Sequence, residues 1–340
     1  MGDDVRDEAD REWMARAVSL AASVRTETAP NPWVGAILVP AEGERVSCGA
    51  TQPPGGRHAE IVALDDAAAR ARGATMYVTL EPCAHHGRTP PCADALVAAG
   101  VRRVVVGIED PDPRVSGAGV ARLRAAGVEV AVGTLAAEIE RQLTPYLAHR
   151  RTGRPWVVLK LAASLDGRLA AADGSSQWIT GPEARRDTHQ LRAESGAILV
   201  GAGTQRRDNP SLTVRDVTGH DPRRIVLGPI EPGARVLPAR SYSGPLVPLL
   251  DELGSEGVLQ LLVEGGARTA YRFHHEQLVD QYVIYLSPSF FGGSDAVPMF
   301  AGAGAASIGE IWRGRFAQVR RLGGDLRLDV LAASRTDALA

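Results

Sequence analysis

The sequence predicts an α/β protein with two domains, and three observations lead to this prediction. The chain has 340 residues, which is enough for about two domains that each bury a core of their own. Apolar runs typical of strands alternate with helical patterns, which indicates crossover units and a mostly parallel sheet covered on both faces. The polar stretch 150–155 contains Gly and Pro and separates the two halves, so we place the domain boundary there.

The first half of the chain alternates regularly between helical and strand patterns. An amphipathic helix is predicted over 8–25, because Trp13, Ala17 and Ala21 share one face at helical spacing. The predicted strands are 34–39, 75–80, 103–108 and 128–132, and the other predicted helices are 58–70, a short one from Cys92, 117–126 and 134–148.

The second half repeats this alternation after the boundary. The segment 230–250 contains four prolines and is predicted to be rich in loops. The predicted strands are 156–161, 197–200, 224–227, 258–263 and 281–286, and the predicted helices are 182–194 and 267–277.

Charge and composition disfavour several classes of partner. Lys and Arg total 38 against 40 Asp and Glu, a net charge of −2, whereas nucleic-acid binders usually carry a basic excess. We therefore expect a small-molecule substrate and no nucleic-acid partner. No apolar run approaches the roughly 20 residues that span a bilayer, and the acidic, polar start lacks the pattern of a signal peptide. Three cysteines are too few for a disulfide framework, so we expect a cytoplasmic protein.

A candidate zinc site lies where helices of the first half are predicted to begin. His58 opens one helix, and Cys83 and Cys92 flank the loop before the next. A catalytic zinc uses three protein ligands and leaves the fourth position to water, whose pKa it lowers to about 7. Glu60 follows His58 closely enough to move protons there. His-x-Glu followed by Pro-Cys and a second Cys is the arrangement of nucleobase deaminases, in which the Glu is not a ligand.

The cysteine spacing departs from the short Cys-x-x-Cys form of that arrangement. Eight residues, AHHGRTPP, separate Cys83 from Cys92 and lengthen the loop beside the metal. The alternative is a purely structural zinc, for which His85 or His86 would supply a fourth ligand. We favour the catalytic interpretation, because closed structural sites rarely carry a spare Glu. Cys48 is predicted to be an ordinary buried residue with a structural role.

These motifs resemble a known family. NPWVGAILV (31–39), HAEIVAL (58–64) and EPCAHHGRTPPC (81–92) look like the deaminase half of the bifunctional riboflavin-biosynthesis deaminase–reductases. The long HHGRTPP insertion is specific to that enzyme among cytidine-deaminase-like proteins, and the resemblance covers nearly the whole chain. It implies a cytidine-deaminase-like three-layer α/β domain over 8–150.

The resemblance also implies roles for residues of the first half. It assigns one zinc per chain to His58, Cys83 and Cys92, and it makes Glu60 the proton shuttle. Thr51 departs from the family, in which a His is expected at this position. Because Thr51 lies outside the zinc set, the departure concerns substrate contacts rather than the metal.

The second half carries weaker motifs. Gly201 and Gly203 follow an apolar strand, but Arg206 stands where a dinucleotide-binding Gly-x-Gly-x-x-Gly needs its third glycine, so that fingerprint fails. The turn 264–266, Glu-Gly-Gly, is a better candidate, because backbone amides at a helix N-terminus can bind a pyrophosphate. Taken alone, the turn is better explained as an ordinary strand-to-helix connection.

The resemblance favours a ligand-binding role for this turn and for further segments of the second half. KLAASLDGRLA (160–170), DNPSLTVR (208–215) and VEGGA (263–267) look like the reductase half of the same family. They imply a dihydrofolate-reductase-like α/β domain over 155–335 that uses NADPH, although Asn209 stands where the family usually has Asp. The implied cofactor contacts are Ala162, Trp178, Thr204, Asp208, Gly266, Ala267, Arg268, Thr269, Ala270, Tyr271 and Arg272, and the implied substrate contacts are Ser176, Arg192, Leu212, Arg215 and Glu264.

The function implied by the resemblance is two consecutive steps of riboflavin biosynthesis in a homo-oligomer. Zinc-dependent hydrolytic deamination of 2,5-diamino-6-(5-phosphoribosylamino)pyrimidin-4-one precedes NADPH reduction of its ribosyl group to ribityl, which gives 5-amino-6-(5-phosphoribitylamino)uracil. The residues alone leave two other classes open. The net charge of −2 argues against a nucleic-acid-editing zinc deaminase with an accessory domain. Glu60 beside His58 argues against a zinc-stabilised binding module without activity.

Overall fold

The structure is a computed structural model that describes residues 2–41, 46–85, 90–113 and 115–332. The chain divides into two compact units, Met1–Gly153 and Arg154–Ala340. Both units combine helices with a central sheet, so the predicted α/β class is confirmed. Within the described part of the chain, no helix combines the length and the apolar character needed to cross a membrane.

The first unit is built around one sheet with the strand order β2-β1-β3-β4-β5. Its described elements are, in chain order, α1 (Gly2–Ser23), β1 (Gly35–Val39), β2 (Ser47–Ala50), α2 (Ala59–Ala67), β3 (Thr75–Leu80), α3 (Cys92–Ala98), β4 (Arg103–Ile108), α4 (Ala118–Ala125), β5 (Glu129–Val132) and α5 (Ala136–Thr152). A 3-10 turn, Ala68–Ala71, continues α2.

The strand directions of this sheet differ in part from the prediction. β3, β4 and β5 run parallel, but β1 is antiparallel to both β2 and β3. The prediction of a mostly parallel sheet is therefore wrong for this unit, because neighbouring antiparallel strands such as β1 and β2 need only a short connection and no crossover helix. The sequence did not predict β2, since its four residues, SCGA, are small and give no clear alternation.

Two glycines let helices lie close against the first sheet. A Cβ on Gly35 in β1 would lie 2.0 Å from the carbonyl oxygen of Ala17 in α1. A Cβ on Gly49 in β2 would lie 2.0 Å from the carbonyl oxygen of Ala59, the first residue of α2. This close packing fixes where α2 begins, and the candidate ligand His58 directly precedes that point.

The second unit has a larger sheet with the order β10-β9-β8-β11-β6-β12-β15-β14, and β7 pairs separately with β13. Its described elements are β6 (Trp156–Ser164), β7 (Arg168–Ala170), α6 (Pro182–Ala193), β8 (Ala197–Gly201), α7 (Ala202–Asp208), β9 (Arg223–Leu227), β10 (Arg240–Tyr242), α8 (Leu246–Ser255), β11 (Gln260–Val263), α9 (Ala267–His275), β12 (Gln281–Ser287), β13 (Val297–Pro298), β14 (Gly314–Leu322) and β15 (Asp325–Ala332). In the order of the sheet, the six strands from β10 through β9, β8, β11 and β6 to β12 run parallel to one another. β15 and β14 run antiparallel to their neighbours.

Some elements of the second unit correct the prediction. The helix α8 begins inside the segment 230–250 that was predicted to be rich in loops. Pro248 lies in the first turn of α8, where the backbone N–H has no intrahelical partner, so it does not prevent a helix. The hairpin of β14 and β15 was also missed, because β14 carries three arginines and is exposed along most of its length.

Candidate active sites

Three side chains that commonly bind metals come together in the first unit. His58 precedes α2, Cys83 lies in the loop after β3, and Cys92 is the first residue of α3. Nδ1 of His58 lies 3.3 Å from Sγ of Cys92 and 3.7 Å from Sγ of Cys83. The ligand atoms of a tetrahedral zinc, with bonds of about 2.0–2.3 Å, are about 3.3–3.8 Å apart. The three residues therefore fit a zinc ion with little movement.

The described residues contain no fourth protein ligand for this cluster. Its potential ligand atoms, which lie within 4.8 Å of one another, belong to His58, Cys83 and Cys92. His85 lines the neighbouring cavity but is not part of the cluster. His86, the other candidate for a fourth ligand, lies outside the described residues. A set of three leaves one position open, as catalytic zinc sites do.

Hydrogen bonding favours the thiolate form of Cys83. The backbone N–H of Cys92, at the start of α3, donates to Sγ of Cys83 at 3.3 Å. Hydrogen bonds from the Cys92 thiol and from His58 lower the pKa of Cys83 to about 4. The same pairing raises the pKa of Cys92, and the bond to Cys83 raises the pKa of His58. The cluster therefore offers a thiolate, which is the form of cysteine that binds metals.

Glu60 lies beside these ligands, away from bulk water. It is in the first turn of α2, and only 4% of its surface is exposed. Burial raises the pKa of Glu60 to about 7, although the charge of His58 opposes the shift. Together with His58 and Cys83 it lines a cavity of about 160 Å³. A carboxyl group with a pKa near neutrality can both accept and release a proton at physiological pH.

Two aspartates, which the sequence analysis missed, line the same cavity. Asp110 and Asp112 follow β4 and are buried. Glu81 fixes the segment that carries them, because its carboxylate accepts hydrogen bonds from the backbone N–H of Asp110 and of three residues around the start of α4, at 2.8–3.2 Å. Their position directly after the carboxyl end of a buried strand could have revealed them from the sequence, because ligands often bind at such ends.

The helix α5 supplies side chains that hold these two carboxylates. The hydroxyl of Tyr146 donates to the carboxylate of Asp110, at 3.0 Å from Oδ2 and 3.3 Å from Oδ1. Nε of Arg150 lies 3.7 Å from Oδ2 of Asp112. The guanidinium of Arg150 also lies 4.8 Å from the centroid of the Tyr146 ring. Asp110 and Asp112 are therefore held in place as part of the cavity wall.

Thr51, directly after β2, and Cys48, within β2, were also singled out in the sequence. Thr51 lines the cavity, and its Oγ1 accepts a hydrogen bond from the backbone N–H of Val34 at 3.1 Å. It thereby fixes the segment that leads into β1. The prediction that Cys48 is buried is wrong, because Cys48 is exposed on β2. Its neighbours in the strand point to the other face, as strand alternation requires.

A larger cavity, of about 590 Å³, lies in the second unit. Val200 near the end of β8 and Glu264 directly after β11 place it at the carboxyl ends of parallel strands, where open sheets generally bind ligands. The predicted residues in its lining are Ser176, Arg192, Leu212, Arg215 and Glu264 from the substrate set, and Ala162, Trp178, Thr204, Asp208 and Gly266 from the cofactor set.

The other predicted cofactor residues form the first turns of α9 and do not belong to this lining. Tyr271 stacks on His275, and Arg272 pairs with Glu276, both within the helix. Gly266, the residue before α9, provides no side-chain cap, so backbone N–H groups at this helix start are available to a phosphate. The predicted cofactor residues that lie in α9 and outside the cavity lining are Ala267, Arg268, Thr269, Ala270, Tyr271 and Arg272.

Glycines and threonines bring α7 and α9 together at this end of the cavity. Oγ1 of Thr204 accepts a hydrogen bond from the backbone N–H of Gly266 at 3.1 Å. A Cβ on Gly201 would lie 2.5 Å from Oγ1 of Thr269, and one on Gly265 would lie 2.4 Å from Cβ of Thr269. Both glycines are therefore required by the close packing of α9.

Arg192, Glu264 and Lys160 form a buried ionic cluster in the cavity wall. Lys160 Nζ lies 4.0 Å from Oε2 of Glu264, and Arg192 binds both carboxylate oxygens. Burial alone would raise the pKa of Glu264, but the two cations lower it to about 2. Burial lowers the pKa of Lys160. The sequence analysis missed Lys160, although a lysine inside an apolar strand was a signal, since lysines are rarely buried without a partner.

The helix α6 contributes a further face to this cavity that was not predicted as a whole. Arg185, His189 and Arg192 line the cavity at helical spacing. Nε2 of His189 lies 3.5 Å from Oδ2 of Asp216, which also lines the cavity. Arg185 and His189 precede the predicted substrate contact Arg192 at helical spacing, and this spacing could have revealed the face from the sequence.

Family models match both units of the chain. Residues 7–108 match the cytidine and deoxycytidylate deaminase zinc-binding region, and residues 155–328 match the RibD C-terminal domain. The chain is 40% identical to the riboflavin biosynthesis protein RibD of Escherichia coli, over 95% of this chain and 100% of that protein. It is 39% identical to RibD of Aquifex aeolicus, over 94% of this chain and 97% of that protein.

Solved structures extend the similarity to the fold of both units. RibD of Acinetobacter baumannii matches with a TM-score of 0.88 and 36% identity, over 96% of this chain and 100% of that one. A diaminohydroxyphosphoribosylaminopyrimidine deaminase/5-amino-6-(5-phosphoribosylamino)uracil reductase from Thermotoga maritima matches with a TM-score of 0.87 and 31% identity, again over 96% and 100%. A zinc-binding deaminase domain and a reductase domain that uses a nucleotide cofactor are thus joined in one chain, which belongs to the RibD family of bifunctional riboflavin-biosynthesis enzymes.

Proposed function

We propose that residues 8–150 deaminate 2,5-diamino-6-(5-phosphoribosylamino)pyrimidin-4-one and that residues 155–335 then reduce the ribosyl group of the product to ribityl. The product of both steps is 5-amino-6-(5-phosphoribitylamino)uracil. The observation that carries the proposal is the cluster of His58, Cys83 and Cys92 beside the buried carboxyl of Glu60. The names of the similar proteins support the choice of substrates.

In the deaminase reaction, His58, Cys83 and Cys92 hold the zinc and Glu60 moves the protons. A zinc ion bound there supplies an activated water as the nucleophile for the amino-bearing carbon of the pyrimidine. Glu60 would take a proton from the attacking water and pass it to the departing amine, so that water is consumed and ammonia leaves. Asp110 offers a fixed hydrogen-bond acceptor to N–H groups of the pyrimidine from the cavity wall.

In the reductase reaction, Arg215 binds the phosphate of the substrate and Glu264 binds sugar hydroxyls. Nη1 of Arg215 contacts Oγ of Ser211 at 3.0 Å, and the side chain lines the cavity, where a guanidinium can bind a phosphate through paired hydrogen bonds. Arg192 orients Glu264. Ser176 and Leu212 add contacts to the substrate from the same lining.

The cofactor binds at the α7 and α9 end of the same cavity. NADPH supplies the hydride that reduces the ribosyl C1. Ala162, Trp178, Thr204 and Asp208 line the cavity and would hold the cofactor, the last two from α7. The predicted contacts from Gly266 through Arg272 lie at the uncapped start of α9, where the backbone N–H groups of Ala267, Arg268 and Thr269 precede the first intrahelical bond and bind its pyrophosphate.

We also propose that the enzyme is a cytoplasmic homo-oligomer that acts on a free nucleotide rather than on nucleic acid. The net charge of −2 supports the choice of a small substrate. Three cysteines without a disulfide are consistent with a reducing compartment. Exposed apolar side chains on the hairpin of β14 and β15 support contacts between subunits: Phe316, Val319 and Leu326 are 66%, 55% and 40% exposed.

The test uses the purified full-length chain and three measurements. Metal analysis should find one zinc per chain, and the pyrimidine nucleotide should release ammonia. The deaminated nucleotide should then oxidise NADPH. Deamination of a transfer RNA or single-stranded DNA, but not of the free nucleotide, would instead support the editing class. Zinc binding without either reaction would support a binding module.

A further inference from the structure

The ammonium group of Lys160 has few partners in the wall of the reductase cavity. Its Nζ lies 4.0 Å from Oε2 of Glu264, beyond hydrogen-bond distance, and it forms no hydrogen bond with any group in the described part of the chain. Arg192, the other charged group that acts on it, is a cation as well. Only 17% of the Lys160 side chain is exposed, and a buried charge needs stabilising contacts.

The ring of Tyr285 supplies a further contact to Lys160. Nζ of Lys160 lies over this ring, 5.7 Å from its centroid, which is within the range of a cation–π interaction. In the register of β6 and β12, Tyr285 is paired with Ala162, two residues after Lys160, so the two side chains point to the same face of the sheet. Tyr285 is fully buried and does not line the cavity. It therefore supports Lys160 from outside the cavity lining.

Asp187 on α6 fixes the other end of the Tyr285 side chain. The Tyr285 hydroxyl donates to Oδ2 of Asp187 at 2.5 Å. Arg327 on β15 and Arg320 on β14 bind the same carboxylate at 2.6 and 3.1 Å. Burial opposes the charge of Asp187, but Arg327 lowers the pKa of this carboxyl. Burial raises the pKa of Tyr285, so its hydroxyl keeps the proton that it donates. The ring is thus fixed between Lys160 and a carboxylate that two arginines hold.

We propose that Tyr285, fixed by Asp187, is a positioning residue for the reductase reaction and acts by holding the Lys160 ammonium in the cavity wall. The inference rests on the proposed function, in which this cavity holds the deaminated nucleotide beside the cofactor. The N–H donors of Lys160 are not used by the described part of the protein, so they are available to a bound ligand. Because Tyr285 does not line the cavity, we expect its effect on the reaction to pass through Lys160.

The test is a double-mutant cycle on the full-length chain. It measures kcat/KM for the deaminated nucleotide with NADPH in Tyr285→Phe, Tyr285→Leu and Lys160→Met, and in Lys160→Met combined with each Tyr285 variant. The matched control is Tyr282→Phe, alone and with Lys160→Met. Tyr282 is buried on the same strand, shares a hydrogen bond of 2.8 Å with Nδ1 of His274 and does not line the cavity, and it points to the opposite face of the sheet. Calorimetry with NADP⁺ and thermal unfolding accompany each variant.

The two Tyr285 variants should differ in the size of their effect. Tyr285→Phe keeps the ring but loses the bond to Asp187, so kcat/KM should fall by about two- to fivefold. Tyr285→Leu removes the ring, so the loss should be about ten- to thirtyfold, and Lys160→Met should lose at least as much. In the Lys160→Met chain neither Tyr285 change should cause a further loss, because residues that act through one another are not additive. Tyr282→Phe should retain kcat/KM in both chains, and NADP⁺ binding should stay unchanged in the Tyr285 variants.

Three results would overturn the inference. Equal further losses in the Lys160→Met chain would show that Tyr285 acts on the fold rather than through Lys160. A Tyr285→Phe chain that is as active as Tyr282→Phe would remove the role of Tyr285, and this comparison decides even if Tyr285→Leu does not fold. Undiminished kcat/KM in Lys160→Met would overturn the inference and leave the proposed function intact. If the unchanged chain oxidises no NADPH with the deaminated nucleotide, the proposed function fails and the inference fails with it.

Discussion

Arg192 and Glu264 bind each other through two hydrogen bonds in the wall of the reductase cavity. Nε of Arg192 lies 2.7 Å from Oε1 of Glu264, and Nη2 lies 2.9 Å from Oε2. Nη1 donates to the carbonyl of Thr213 at 3.1 Å. Because these partners already occupy its guanidinium, Arg192 acts mainly by holding Glu264 in place. Arg215, on the same cavity, is then the better candidate for the substrate phosphate.

Replacing Arg192 should destabilise the second unit strongly. Only 11% of the Arg192 side chain and 9% of the Glu264 side chain are exposed, so Arg192→Leu leaves a buried carboxylate without its main partner. Such losses cost about 3–5 kcal/mol, which urea unfolding of the full-length chain would measure. Arg223→Gln is the matched control, because Arg223 and Glu256 form an exposed pair in the same unit, and such pairs contribute at most about 1 kcal/mol.

The stabilisation by this pair should disappear only at acid pH. Its cations lower the pKa of Glu264 from 4.5 to about 2 in the folded chain. A lowered folded pKa means that the stabilisation is complete above the unfolded pKa and is lost as the pH falls through the folded pKa. In the unchanged chain the stabilisation by the pair should therefore be complete above about pH 5.5 and be lost as the pH falls from about 4.5 towards about 2. Without Arg192, burial raises the pKa of the Glu264 carboxyl, so this carboxyl is protonated at a higher pH in Arg192→Leu than in the unchanged chain. The difference in unfolding free energy between the two chains should therefore be largest at high pH and shrink as the pH falls, and a difference that grows as the pH falls would contradict this assignment.

Replacing Arg215 should affect binding rather than stability. Arg215→Gln removes the proposed phosphate contact, so the Michaelis constant for the deaminated nucleotide should rise about ten- to a hundredfold. The Michaelis constant for NADPH should stay nearly unchanged. The free energy of unfolding should change by less than about 0.5 kcal/mol, as is usual for a side chain outside the core. Weaker binding of NADPH, with intact binding of the nucleotide, would mean that the substrate and cofactor subsites have been exchanged.

Tyr146 offers a test of whether Asp110 matters for deamination. Tyr146→Phe removes the hydroxyl that holds the Asp110 carboxylate, so deamination should fall by about ten- to a hundredfold, a typical effect of a misplaced contact. Zinc content and reductase activity should stay normal. The matched control is Tyr77→Phe, since the Tyr77 hydroxyl binds the buried carboxylate of Asp10 at 3.0 Å, and Tyr77 and Asp10 do not line the cavity.

Both tyrosine variants lose one hydrogen bond to a carboxylate, so both should lose stability by about 1.5–3 kcal/mol. Only Tyr146→Phe should lose deaminase activity. An equal loss of deamination in the two variants would show a general effect of stability and would remove Asp110 from the proposed site.

The grouping of the metal ligands could be predicted from the sequence, whereas their surroundings could not. His58, Cys83 and Cys92 each stand at a junction that leads into a helix, and residue type with position was enough to expect a cluster. The contact between Tyr146 and Asp110 depends on how α5 packs after β4. No local pattern encodes that packing, because it is set by the tertiary fold.

The same reason explains what was missed in the second unit. Lys160 meets Glu264 because β6 and β11 are neighbours in the sheet, although about a hundred residues separate them in sequence. The strand order that makes them neighbours cannot be derived from hydrophobic periodicity. The resemblance to a family located Glu264 but carried no information on its partners, so the role of Arg192 in holding it emerged only from the geometry.

Removing a metal ligand should release zinc and weaken the first unit. Cys83→Ala and Cys92→Ala each take away one of three ligands, and metal binding is coupled to folding, so metal content and unfolding temperature should both fall. Cys48→Ala is the control, because Cys48 is exposed on β2 and outside the cluster. It should retain one zinc per chain. Full zinc occupancy in either ligand variant would refute the ligand assignment.

Glu60→Gln should separate metal binding from proton transfer and the two activities from each other. The amide keeps the size of the side chain, and Glu60 is not one of the three clustered ligands, so zinc should stay bound. Deamination should fall by about 10²–10⁴-fold, the usual contribution of a general acid–base group. With already deaminated nucleotide, NADPH oxidation should continue at close to the normal rate, because the reductase cavity is lined by residues of the second unit. Zinc loss in this variant would make Glu60 a ligand, and a parallel loss of NADPH oxidation would show that the two units act as one catalytic body.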